Sequence, residues 1–327
     1  MALWKRVQEL SPKVTRRFRQ VLREAVTHRS FTFPPEMSRL SMLAQALDDI
    51  EARWPTAPDT TVVEPRPVFV LSAGWRSGST LLQRLICSSG EIVVWGEPLG
   101  DAAIIPRLAD SLTAISSSWP PDHCLAPELE LTSFSDNWIA NIAPPISSLR
   151  LAHRAFFDQW LGKPARERYG SERWGLKEVR LTIEHARYLK WLYPGARFVF
   201  IYRDLADAYR SWRGNGWASV WPGYFSWSPV AYARHWKLLL SGYLEGWRDV
   251  DGYLVRYEDL VAGKVDLPAL AAHIGIRQIN GDVLEKRIAS PATGRKRRKK
   301  WVTPVERAIL NTVAGDLARR AAAQQSS

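Results

Sequence analysis

Val68-Phe69-Val70-Leu71-Ser72-Ala73-Gly74-Trp75-Arg76-Ser77-Gly78-Ser79-Thr80-Leu81-Leu82-Gln83-Arg84-Leu85-Ile86 passes from an apolar run through a Gly- and Ser-rich turn into an apolar helical pattern. Val, Phe, Val and Leu suit a buried strand. A glycine-rich turn between strand and helix lets backbone N–H groups converge on an anion, and the start of the helix adds the positive end of its dipole. The segment therefore reads as a phosphate cradle made by Gly74, Trp75, Arg76, Ser77, Gly78, Ser79 and Thr80. It is not the cradle of a nucleoside triphosphatase, whose G-x-x-x-x-G-K-[ST] pattern requires Gly at Ala73 and Lys at Ser79. The cation instead comes early, as Arg76, where its side chain can curl back over a bound group. Ser79 and Thr80 open the helix, where hydroxyls cap N–H groups or contact phosphate.

Outward from this segment, further β-rich runs occur at Ile92–Trp95, Trp174–Lys177, Arg197–Tyr202 and Tyr253–Arg256, separated by stretches long enough for helices. The pattern predicts an α/β fold, a P-loop-like parallel sheet of about five strands with helices on both faces. Ligands of such sheets sit beyond the carboxyl ends of the strands. Pro55, Pro58, Pro65 and Pro67 mark a linker, which divides the chain into a basic helical extension over 1–64 and a main domain over 65–327, with a helical insertion near 101–173. In the extension, Leu3, Val7, Leu10, Val14, Phe18 and Val21 fall at helical spacing among Lys and Arg. That helix is read as covering an apolar face of the domain or of a partner, or as making peripheral contact with an anionic membrane. Leu40, Leu43, Leu47 and Ile50 give a second helical pattern.

A chain of 327 residues, 46% of them apolar, can bury a large core, which argues against disorder. No run reaches the roughly 18 apolar residues of a membrane span, and residues 1–19 lack a secretory pattern, so a soluble, cytoplasmic protein is expected. Cys87 and Cys124 have no metal-ligand spacing and are read as buried thiols. The six histidines likewise show no ligand spacing and are read as structural. The net charge of +12 attracts nucleic acids, anionic membranes and phosphorylated small molecules alike, and so cannot choose among them. Trp212, Trp217, Trp221, Trp227 and Trp236 are a local concentration among 16 tryptophans, suited either to an aromatic acceptor cleft or to core packing.

The fourth β-rich run ends in Arg203-Asp204-Leu205-Ala206-Asp207-Ala208-Tyr209-Arg210-Ser211. Arg203 lies at the strand's carboxyl end and Ser211 about two helical turns later, a guanidinium and a hydroxyl able to make a second anion site. Two ordered anion sites imply a ligand phosphorylated at both ends. A nucleic-acid-binding module would use the charge but would not explain both motifs at strand ends. A P-loop kinase or NTPase lacks its lysine here.

Together the two segments resemble the sulfotransferase family, in which the first loop holds the 5′-phosphosulfate of 3′-phosphoadenosine-5′-phosphosulfate (PAPS), and R-D-x-x-D-x-x-x-S holds the 3′-phosphate through Arg203 and Ser211. The R-S-G-S-T form looks most like bacterial and Golgi carbohydrate-type members. Trp95-Gly96-Glu97-Pro98-Leu99, Trp174-Gly175-Leu176-Lys177-Glu178-Val179-Arg180 and Val255-Arg256-Tyr257-Glu258-Asp259-Leu260 also fit, and the resemblance spans roughly Pro67 to Trp301. It implies O-sulfation of a small-molecule or glycan acceptor, PAPS as donor, no metal and no nucleic acid. Lys177 aligns with a family lysine near the sulfuryl group, and Arg295, in the basic run Gly294–Trp301, with a loop over the 3′-phosphate. Where cytosolic members carry a catalytic His, this chain has Val179. The resemblance assigns the base to Glu97, with Glu178 as runner-up, since Glu178 should face away from a site that Lys177 enters.

Overall fold

The computed structural model describes residues 39–55, 66–99, 102–125, 127, 129–215, 219–221, 224–225, 228–286 and 301–323. The strands are β1 (Val68–Ser72), β2 (Ile92–Gly96), β3 (Arg173–Glu178), β4 (Arg197–Tyr202), β5 (Ser219–Trp221), β6 (Tyr224–Phe225) and β7 (Gly252–Arg256). Five of them form one sheet in the order β2-β3-β1-β4-β7, every pairing parallel, while β5 and β6 make a separate antiparallel pair. All five expected β-rich runs are strands of this sheet, each shifted by no more than one residue at either end. The register Gly96↔Lys177, Leu71↔Glu178, Ser72↔Ile201 and Tyr202↔Arg256 brings the carboxyl ends level along one edge.

The helices are α1 (Leu40–Arg53), α2 (Ser79–Cys87), α3 (Ile104–Asp110), α4 (Ile146–Phe157), α5 (Lys163–Tyr169), α6 (Ile183–Leu192), α7 (Leu205–Asn215), α8 (Pro229–Gly246), α9 (Tyr257–Val261), α10 (Leu267–Ile274) and α11 (Pro304–Ala323). Because strand side chains alternate, β1 sends Phe69 and Leu71 to one face and Val68 and Val70 to the other. The first face carries the larger core, under α1, α6, α8 and α11. The second packs on Leu82, Leu85 and Ile86 of α2 and Leu270 and Ile274 of α10. Each such leucine or isoleucine contributes about 1.5–3 kcal/mol by leaving water.

Two further observations concern domain organisation. Leu43, Ala46, Leu47 and Ile50 of α1 are buried in the larger core, so residues 40–53, read from sequence as part of an extension, pack as an integral part of the main domain. The amphipathic pattern of residues 1–29 lies outside the described residues. The insertion near 101–173 is helical over α3, α4 and α5, joined by short 3-10 turns and a π-helical turn at Asp158–Gly162. Among the described residues no helix is long and apolar enough to cross a membrane.

The start of α6 ties the fold to pH. Thr182 and His185 form a reciprocal capping box in which the Thr182 N–H donates to His185 Nδ1 at 3.1 Å. Burial drives His185 down from its usual value to about 3, and burial does the same to His235. Between pH 3 and the ordinary value near 6.5, the unfolded chain then binds protons that the folded chain refuses, so stability falls as pH falls, by up to about 1.4 kcal/mol per pH unit for each histidine. His185→Gln keeps the cap acceptor and removes the titration. Urea melts from pH 7 to pH 4.5 are expected to show a shallower loss for this variant than for the wild type. Equal slopes would mean that His185 does not resist protonation in the folded protein.

Candidate active site

Every conspicuous loop at the level edge of the sheet leaves a strand's carboxyl end. After β1 the chain turns through Gly74 (φ 82°), Arg76 (φ 67°) and Gly78 (φ 91°), left-handed conformations that permit the tight wrap into α2. Arg76 has a Cβ and adopts this conformation at a cost of about 1–2 kcal/mol, the kind of strain found where geometry serves function. Ser77 is buried and its hydroxyl donates back to the Ala73 carbonyl at 3.0 Å, so its side chain pins the loop and leaves only its backbone to meet a ligand. α2 begins at Gly78 with no side-chain cap, so Ser79 and Thr80 present backbone N–H groups at a helix start, Ser79 buried and Thr80 exposed. Trp75 faces inward, its ring stacked on His235 at 4.4 Å and its carbonyl accepting from the Tyr232 hydroxyl at 2.6 Å.

The second anion motif meets the first directly. Arg76 Nε donates to Ser211 Oγ at 3.1 Å, and an Arg203 terminal nitrogen donates to the Arg76 carbonyl at 3.3 Å. Arg203 lies 4.3 Å over the ring of Tyr257, the first residue of α9. Its Nε is buried and has no hydrogen-bond partner among the described residues. A buried guanidinium N–H left open at a strand end suits an incoming anion, because an unsatisfied donor costs about 1–3 kcal/mol.

Glu97, just past β2, adopts φ 33°, and Leu99 adopts φ 53°. The Glu97 carboxylate pairs through one oxygen with Lys177 and through the other with Arg180 at 3.3 Å. Lys177 and Glu178 leave β3 on opposite faces, as a two-residue period requires. Arg180, three residues past Lys177 and nearly fully buried, rejoins them: its Nε also donates to Glu178 at 2.9 Å. Two carboxylates and two cations therefore form one cluster. Burial pushes the Glu178 carboxyl above the usual carboxylate range, Arg180 pulls it back, and Glu97 pushes it further up. Among the described residues no group of three or more His, Cys, Asp or Glu side chains is placed to hold a metal ion.

Residues 67–277 match the sulfotransferase family. The chain belongs to that family. The match covers the whole sheet and therefore both anion motifs. Similar solved structures are the sulfotransferase domain of the olefin synthase of Synechococcus PCC 7002 (14% identity, TM-score 0.40, covering 82% of this chain and 98% of that one) and a sulfotransferase from Mycobacterium avium (14%, 0.36, 92% and 89%). A sulfotransferase from Mycobacterium tuberculosis H37Rv is also similar (16%, 0.36, 90% and 90%). A comparison with curated proteins finds no match.

In this sulfotransferase family member the structure brings together Arg76, Ser211 and Arg203 at one point, and Glu97 with Lys177 at another. Arg295 lies outside the described residues, as do the side chains of Trp217, Trp221 and Trp227, whereas Trp212 and Trp236 are buried in the core. Cys124 is buried, Cys87 half-buried, and both are free thiols. Sequence reading gave no role to Arg180, Tyr257 or His235. Arg180 and Tyr257 stood in quoted segments, and their signal was a charge or an aromatic ring within three residues of a strand's end. A Cβ added at Gly78 runs into the Tyr257 ring. Gly78→Ala is therefore expected to lower Tm by several degrees. Gly78→Ala combined with Tyr257→Ala should recover only the steric part of the Tm loss, because the positive φ stays unfavourable. An unchanged Tm for the single variant would show that the ring yields freely.

Proposed function

We propose that the protein transfers a sulfuryl group from PAPS to the hydroxyl of a glycan or a hydroxylated natural product. The observation that carries this reading is the 3.1 Å bond from Arg76 to Ser211, which joins two anion motifs from different strands into one crevice, beside the open Nε of Arg203. Bound there, PAPS supplies a sulfuryl group that passes to the acceptor oxygen and leaves 3′-phosphoadenosine-5′-phosphate. Arg203 and Ser211 hold the 3′-phosphate. The backbone N–H groups from Gly74 to Thr80, with Arg76, hold the 5′ side and offset the negative charge that grows on the departing phosphate. Lys177 serves the same charge from the neighbouring strand.

Glu97 accepts the proton of the acceptor hydroxyl. Each carboxylate oxygen has two lone pairs, so the contacts to Lys177 and Arg180 orient the group and still leave acceptor capacity. Glu97→Gln is expected to cut turnover by at least about a hundredfold with nucleotide affinity nearly unchanged. Glu178→Gln should do much less. A larger loss in the Glu178 variant, with both proteins folded and binding nucleotide, would move the base to β3.

Arg203→Ala is expected to weaken 3′-phosphoadenosine-5′-phosphate by about 1.5–3 kcal/mol, roughly ten- to a hundredfold, the worth of a charged hydrogen bond. Adenosine 5′-phosphosulfate, which has no 3′-phosphate, should bind both proteins alike. Equal losses for both ligands in calorimetry would remove Arg203 from this role.

A further inference from the structure

Leu99, two residues beyond Glu97, stands at the edge of a groove of about 740 Å³ that runs along α4. Leu99 and Ile104 line it on the loop side, and Ala152, Ala155, Phe156 and Trp160 on the helix side; Gln159 is its one polar residue among the described residues. The helix is apolar on two sides at once. His153 and Phe157 point into the protein and are buried, while Ala152, Ala155 and Phe156 are exposed, Phe156 by 41% and Leu99 across the groove by 64%. A helix that only covered a core would turn polar residues outward. Past Phe157 the helix widens into the π-helical turn Asp158–Gly162, which carries Gln159 and Trp160 into the groove, Trp160 with its ring 5.5 Å from Phe156. Turns of this kind concentrate at functional sites.

The groove lies beside the charged cluster. Leu99, Ile104 and Trp160 also line a narrow cleft that ends on Pro98 and Glu178, and Glu178 shares the Arg180 guanidinium with Glu97. The apolar surface thus reaches Pro98, the next residue in the chain after the carboxylate that takes the acceptor's proton. We infer that this groove holds the apolar body of the acceptor, an alcohol with an alkyl or aromatic tail, and that it selects such an alcohol over a sugar. The inference rests on the sulfotransfer reading. Against this described lining a sugar would strand several hydroxyls on carbon with one amide to receive them, and unpaired polar groups oppose binding. A tail gains with every apolar surface it covers. In the reaction the alcohol oxygen bonds to sulfur, its proton goes to Glu97, and the bond from sulfur to the nucleotide's phosphate breaks.

The test uses the full chain with 3′-phosphoadenosine-5′-phosphate, PAPS, a 1-alkanol series from butanol to decanol, and glucose. Calorimetry should show alkanol affinity rising about fourfold per methylene along the series, with a heat-capacity change that grows more negative. Sulfation KM should fall in step. Ala155→Trp, which fills the groove from an exposed helix position, should raise the decanol Kd and KM at least tenfold, leave butanol within about twofold, and leave nucleotide affinity unchanged. Glucose should be sulfated far more slowly than decanol. Glucose sulfated faster than decanol, affinity independent of chain length, or decanol affinity unmoved by Ala155→Trp would each overturn the groove assignment while leaving sulfotransfer standing. Failure of 3′-phosphoadenosine-5′-phosphate to bind, read without any acceptor, would overturn the donor reading and with it the acceptor role of the groove.

Discussion

The hydrogen-bond register of β1 is the constraint from which the rest of the site follows. β1 is paired on both sides, with β3 and with β4, and those pairings fix which residues of three strands end together. Since all neighbours run parallel, the sheet has a single carboxyl edge, and the loops that leave it must share the space beyond. Arg76, Glu97, Arg180, Arg203 and Tyr257 are separated by long stretches of chain, yet each lies within four residues of a strand's end. A slip of one residue would turn every side chain of the slipped strand to the opposite face and scatter this set.

Strain is concentrated at the same edge. Arg76, Glu97 and Leu99 all hold left-handed backbone without being glycine, and packing around them maintains it: the Ser77 hydroxyl folded onto the loop, the Tyr232 hydroxyl on the Trp75 carbonyl, and the cations on Glu97. The charged cluster is similarly over-determined. Its buried charges alternate in sign, so removing one leaves a neighbour unpaired in a poorly solvating place, which costs more than the lost contact itself.

The sheet was legible because buried parallel strands are short apolar runs bounded by turn residues, a signal carried within each segment. The place of both motifs at strand ends was legible for the same reason, since their residues lie next to the strand that aims them. What was not legible depends on side-chain reach across the sheet. Nothing in the sequence says that Arg180 bends back to hold both Glu97 and Glu178, or that Tyr257 meets Gly78, because those contacts join segments about 80 and 180 residues apart. The integration of α1 was hidden by the Pro-rich linker, which looks like a boundary although the helix before it carries a full buried stripe. The groove along α4 went unread because its residues, Ala and Phe at helical spacing, look the same whether they face a core or a ligand.

The Tyr257 ring stands against Gly78 on one side and under Arg203 on the other, a wall common to the two proposed anion subsites. A ligand that bridges the two binds as a chelate: once one phosphate is held, the other is confined near its subsite at high effective concentration, and no second loss of overall tumbling is paid. The rigidity of one aromatic ring thus bears on selectivity for a whole molecule. Two separate monophosphates, however well each one fits, forgo this gain, so under the proposed function the crevice discriminates by the span between charges as much as by their number.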